Sequence, residues 1–88
     1  MKLVVLYRPN SEHGRLVEDF VHEFSRHNGD TRVEMLNVDS REGGALASLY
    51  DILDYPGLLA LRDDGSANMT WQGTTLPMQS EVTSYLMY

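Results

Sequence analysis

The stretch Lys2-Leu3-Val4-Val5-Leu6-Tyr7-Arg8-Pro9-Asn10-Ser11-Glu12-His13-Gly14 decides how the chain is read. Its first part is an almost unbroken apolar run of β-favouring residues, the pattern of a central strand covered on both faces. Arg8-Pro9-Asn10 stops the run, and Ser11 stands where a helix N-cap is expected. Beyond it Leu16, Val17, Phe20, Val21 and Phe24 recur at helical spacing, with Arg15, Glu18, Asp19, Glu23 and Arg26 on the other face. The spacing predicts an amphipathic helix of about four turns. Asn28-Gly29-Asp30 should end it, with Gly29 suited to the left-handed C-terminal conformation.

Residues 31 to 38 read as a second strand, and its separation from the first by one helix implies a parallel, right-handed βαβ unit. Asp39-Ser40 offers a cap for a second helix carrying Ala45, Leu46, Leu49, Tyr50 and Leu53 on one face, a helix that Gly43-Gly44 should weaken at its start. Residues 58 to 62 and 68 to 72 read as short strands flanking Asp63-Asp64-Gly65-Ser66. The Asp-Gly pair favours a tight hairpin and makes those strands antiparallel neighbours. Met78, Val82, Tyr85 and Leu86 give a last helical stripe, with Pro77 placed in its first turn. The order is β-α-β-α-β-β-α, an α/β class.

Composition narrows the functions. The chain has 88 residues, of which 42% are hydrophobic, enough for one modest core in a single domain over residues 1–88. Seven Lys and Arg stand against 13 Asp and Glu for a net charge of −6, and the only lysine is Lys2. No basic cluster breaks the acidic surface, so nucleic acid is excluded as a partner. No apolar run approaches the roughly 20 residues that span a bilayer, and the first strand is too short for a secretion signal. A cytoplasmic monomer is the expectation. There is no cysteine, which removes disulfides, thiol catalysis and thiolate metal sites.

The strand-to-helix turn at Tyr7–Gly14, the later segment Tyr50 to Leu61 with Tyr55-Pro56 inside it, and Arg62-Asp63-Asp64-Gly65 together resemble the thioredoxin and glutaredoxin superfamily. The resemblance implies a thioredoxin-like fold with a four-stranded mixed sheet, the second strand at one edge, then the first, third and fourth. The first and third helices would cover one face and the second helix the other. It also implies a redox turn facing a cis-proline loop. Glutaredoxin-like sequences carry Tyr-x-x-Pro-x-Cys-x-x-Cys at that turn. Matching Tyr7 and Pro9, with a loop one residue shorter, places Ser11 and Gly14 at the two cysteine positions, both vacant here. The dithiol chemistry is not carried over, and the chain is read as no enzyme.

By the same resemblance the Tyr55-Pro56 bond should be cis, and the residue before the proline should present backbone groups to an extended peptide or to glutathione. Gly57 departs from the threonine that can neighbour that proline, and Gly73-Thr74 departs from a Gly-Gly pair that contacts glutathione. The implied partner is a protein or peptide, on a surface formed by Asn10, Ser11, Glu12, His13, Tyr55, Pro56, Gly73 and Thr74. Alternatives are a glutathione-binding or transferase-like remnant that uses no protein thiol and, third, a clock-type KaiB-like regulator.

No cofactor is expected. His13, His22 and His27 lack metal-ligand spacing. Ser11 with His13 lacks the G-x-S-x-G elbow of a hydrolase, and Ser11 is read as a cap. Trp71 should pack under the last helix, and the edge of the second strand is a second contact surface.

Overall fold

The apolar run becomes the centre of the sheet. Strand β1 (Lys2–Tyr7) pairs in parallel with β2 (Arg32–Asn37) and antiparallel with β3 (Gly57–Leu61), which pairs antiparallel with β4 (Ala67–Gln72). Helices α1 (Gly14–His27), α2 (Arg41–Leu49) and α3 (Gln79–Leu86) complete the order β1-α1-β2-α2-β3-β4-α3. The strand order is β2-β1-β3-β4. These elements come from a computed structural model, which describes residues 1–73 and 75–86.

Side chains alternate across a strand, so β1 serves two cores at once. Leu3, Val5 and Tyr7 pack with Leu58, with Val17, Val21 and Phe24 of α1, and with Val82 of α3. Val4 and Leu6 pack on the other face with Leu59 and Leu61, with Ala47 of α2, and with Ile52. Helices α1 and α3 therefore share one face and α2 takes the other. This is a thioredoxin-like fold. Trp71 sits against α3: its ring meets Tyr85 edge-on at 5.7 Å and its indole N–H donates to Glu81 at 2.6 Å.

Three expectations about the helices are corrected. In α1 the buried stripe is Val17, Val21 and Phe24, while Leu16 is 53% exposed and Phe20 only half-buried. The Gln79 side chain at the start of α3 reaches the Phe20 carbonyl, so α3 covers the middle of α1 and leaves its first turn open. In α2 the buried residues are Gly43 and Ala47; of the expected face Leu46 and Tyr50 pack half-buried against the same core, whereas Leu49 and, beyond the helix, Leu53 point to solvent. Any Cβ on Gly43 would collide with the Asn37 carbonyl. The helix comes down onto the sheet through its smallest residues, so the glycine that weakens the helix in isolation is what lets it dock. Finally, α1 ends without a left-handed glycine. The Asn28 amide donates to the Phe24 carbonyl at 3.0 Å, and the glycines with positive φ are Gly65 and Gly73.

Other local readings hold. Ser40 caps α2, its hydroxyl oxygen accepting the Gly43 N–H at 3.0 Å. In the hairpin Gly65 takes φ of 90°, and the Asp64 carboxylate accepts both the N–H and the hydroxyl of Ser66. These bonds hold the Asp64 carboxyl below its ordinary value. At the far end Pro77 and Met78 precede α3 rather than lying inside it, and Met78 is 73% exposed.

The packing separates two substitutions on the same helix. Phe24→Ala should cost about 3–5 kcal/mol, most of the stability of a domain this small, because the ring is fully buried. Leu16→Ala should cost under about 0.5 kcal/mol. Urea unfolding of the two variants checks both, and similar losses would contradict the α1 register.

Candidate functional site

The end of the sheet where β1 stops and β3 starts gathers the turn before α1, the loop before β3 and the exit of β4. After Tyr7 the chain turns sharply: the Ser11 N–H donates to the Arg8 carbonyl at 3.1 Å, and the Ser11 hydroxyl donates to the same oxygen at 2.6 Å. Ser11 therefore does not cap α1. The capping position belongs to His13, whose side chain makes no capping bond. Its Nε2 instead accepts the Arg8 backbone N–H at 3.2 Å, which the ring can do only with that nitrogen unprotonated. Serine favours such bonds to a carbonyl three residues back, and here that bond wins over the cap.

The two vacant cysteine positions have different fates. Ser11 is half-buried in the turn. Gly14 is the first residue of α1 and lies so close to the Pro9 carbonyl that a Cβ would overlap it. A side chain at Gly14 is incompatible with this turn. The Ser11 hydroxyl and the His13 Nε2 are each committed to Arg8, so they form no nucleophile-base pair. Among the described residues no group of three or more His, Asp or Glu converges to hold a metal ion.

The facing loop is held from both sides. The Tyr55–Pro56 bond is cis, and Pro56 is buried. The Pro56 carbonyl accepts the Gly73 N–H at 3.1 Å, with Gly73 at φ of 109°. The Gln72 side chain accepts the N–H groups of Leu53 and Asp54 at 2.8 and 3.1 Å. The N–H and C=O of Tyr55 make no hydrogen bond among the described residues.

Arg8 joins the two loops. Its guanidinium lies 5.1 Å from the centroid of the Tyr55 ring, a cation–π distance, and its Nε is 3.1 Å from the Asp39 carboxylate just after β2. Arg8, Pro9, Asn10 and Ser11 line a shallow depression with Asn37 and Asp39.

Of the residues expected from sequence, Ser11, His13 and Gly14 form the turn, and Tyr55, Pro56 and Gly73 form the facing loop. Asn10 and Glu12 are exposed on the turn, and Thr74 lies outside the described residues. Arg8, Asp39 and Gln72 were missed. Arg8 carried a signal in standing directly between the strand and Pro9, whereas Gln72 carried none, since its role depends on where β4 ends.

Behind the turn, the Tyr7 hydroxyl donates to Glu18 at 3.2 Å. Burial, followed by the hydrogen bond to Glu18 and its negative charge, raises the Tyr7 pKa above 10.0.

Comparison with solved structures places the whole chain. It is similar to thioredoxin 1 from the thermophilic eubacterium Thermosipho africanus TCF52B at 14% identity, with a TM-score of 0.71 over 99% of this chain and 91% of the other. It is also similar to a structure described as a malarial protein, at 12% identity and a TM-score of 0.65, covering 99% and 96% of the two chains. At these identities the likeness is one of fold. No protein-family profile and no curated protein matches the chain.

The Tyr7 environment sets a pH dependence. A raised tyrosine pKa favours the protonated form in the folded state, so its contribution to stability is complete below about pH 10 and is lost as the pH rises through the folded value. In an alkaline titration followed by tyrosinate absorbance, one ionisation step should lie above pH 10, and Tyr7→Phe should remove it. Its persistence in the variant would contradict the assignment.

Proposed function

We propose that this protein is a redox-inactive thioredoxin-like module that binds an extended peptide segment of a protein partner between the Arg8–Gly14 turn and the Tyr55–Pro56 loop. The observation that carries the reading is the backbone of Tyr55. The neighbouring loop is held by Gln72 and Gly73, yet the N–H and C=O of Tyr55 have no hydrogen-bond partner among the described residues. A fixed, unpaired donor and acceptor can bond an extended chain through its main chain alone, as in β-strand addition. Arg8 over the Tyr55 ring and the depression beside Pro9 supply flanking side-chain contacts.

Such binding needs no thiol. The dithiol cycle of the fold's redox members requires a protein thiolate that attacks and a second that resolves, and this chain has neither. The turn itself supports the reading, because the Pro9 carbonyl occupies the space a side chain at Gly14 would need.

Two measurements test the proposal. Insulin-disulfide reduction and a glutathione-dependent thiol assay should both stay at buffer level, and turnover in either would overturn redox inactivity. Selection from a random library of cysteine-free peptides should yield binders at micromolar to millimolar affinity, the range of small transient contacts. Gln72→Ala, which frees the loop without removing any group of Tyr55, should weaken the selected peptides by about tenfold through lost preorganisation. Unchanged affinity in that variant would place the site elsewhere.

A further inference from the structure

We propose that the free edge of β2 is a docking edge for a second copy of this chain, paired antiparallel about a two-fold axis at Val33. The inference begins with which groups of β2 face outward. The Val38 N–H donates to the Tyr7 carbonyl at 2.9 Å, so even-numbered residues of this strand turn their backbone toward β1. By alternation Val33 and Met35 aim their N–H and C=O groups away from the sheet.

Natural edge strands are blunted by charged side chains, lysine above all, by proline, by a bulge or by a covering element. Strand β2 reads Arg-Val-Glu-Met-Leu-Asn, with no proline or lysine, and pairs with β1 in unbroken register. Its apolar residues Val33, Met35 and Leu36 are only half-buried, whereas those of β1 and β3 are buried throughout. The opposite edge is different: β4 carries a register shift where it leaves Leu61, and the Asn68 side chain there is bonded to the Tyr85 carbonyl. One edge is interrupted and the other is open.

Charge identifies the occupant. Arg32 and Glu34 lie two apart, on the same face of β2. Glu34 meets both Lys2 and Arg32 through Oε1, at 3.2 and 3.3 Å, and its Oε2 has no partner among the described residues. Arg32 is 75% exposed, and among the described residues the rest of its guanidinium fork has no partner and can bond outward. A two-fold axis at Val33 sets Arg32 opposite Glu34 of the second copy, and Glu34 opposite the second Arg32. The same spacing thus complements itself twice. An axis at Glu34 would set the two glutamates face to face, and one at Met35 would set Glu34 against Leu36.

In the Val33 register the two Val33 residues exchange backbone hydrogen bonds. Each Met35 N–H meets a Thr31 carbonyl, and the Thr31 N–H stays with Asn28 at 2.9 Å. The four-stranded sheet continues into that of the second copy. The Tyr55–Pro56 loop enters β3, two strands away, and stays open in both copies. An interface of one strand edge is small, so the dimer is weak and concentration-dependent.

Sedimentation equilibrium of the full chain tests this with a charge pair that depends on the register. The wild type should dimerise with a dissociation constant between about 10 μM and 1 mM, weakened by added salt. Arg32→Glu alone and Glu34→Arg alone each set like charges opposite one another twice, so each should self-associate at least about tenfold more weakly. An equimolar mixture of the two variants restores both opposite-charge pairs and should dimerise about as well as the wild type. Circular dichroism checks that each variant is folded. Should one fail to fold, the salt series on the wild type decides. A monomeric wild type, a salt-insensitive dimer, single variants as tight as wild type, or a mixture that stays monomeric would each overturn the proposal.

Discussion

The structure depends on the burial of β1 on both faces at once. A six-residue strand that has neighbours on both sides and helices above and below must be apolar at every interior position, and Leu3 to Tyr7 are all buried. Its odd residues meet α1 and α3 and its even residues meet α2 and the segment leading into β3. Because β1 is fixed by two packing layers and two ladders, its last residue is fixed as well. Arg8 therefore emerges at one place, beside the loop that begins β3.

What lies beyond that end is a set of loops tied by side chains rather than by regular structure. Arg8 touches Tyr55 and Asp39, Gln72 holds the approach to Pro56, and Gly73 completes the ladder at Pro56. Those ion pairs and stacks are exposed and individually weak, but together they leave little freedom to the Tyr55 backbone. The fold alone says nothing of function, since many activities share one scaffold. Function is read from where backbone groups are fixed and, among the described residues, unpaired.

Periodicity carried the order and kind of every element, because alternation in strands and a helical stripe are imposed by burial and appear directly in the residues. It failed where small residues do the packing. Gly43 and Ala47 bury α2, with Leu46 and Tyr50 half-buried beside them, while Leu49 and Leu53 face solvent, an outcome that a search for large apolar side chains finds only in part. It failed also where a short-range bond competes with a helix cap, as Ser11 bonds the Arg8 carbonyl and leaves the capping position to His13. Gln72 was illegible because its partners, the N–H groups of Leu53 and Asp54, lie 19 and 18 residues away in sequence and meet it only once β4 pairs with β3. The turn and the proline loop were legible through their resemblance to a known superfamily, but the Arg8 bridge between them required coordinates.

In the proposed complex the Tyr55 backbone, unpaired among the described residues, is the contact point for an extended chain. The most direct measurement is an amide NMR titration of the labelled protein with a library-selected cysteine-free peptide, with glutathione in a parallel series. The largest peptide-induced shifts should fall on the amides of Tyr55, Gly73 and the Arg8–Gly14 turn, with those of α3 unmoved. Shifts concentrated along the α1–α3 seam, or a response to glutathione alone, would contradict it.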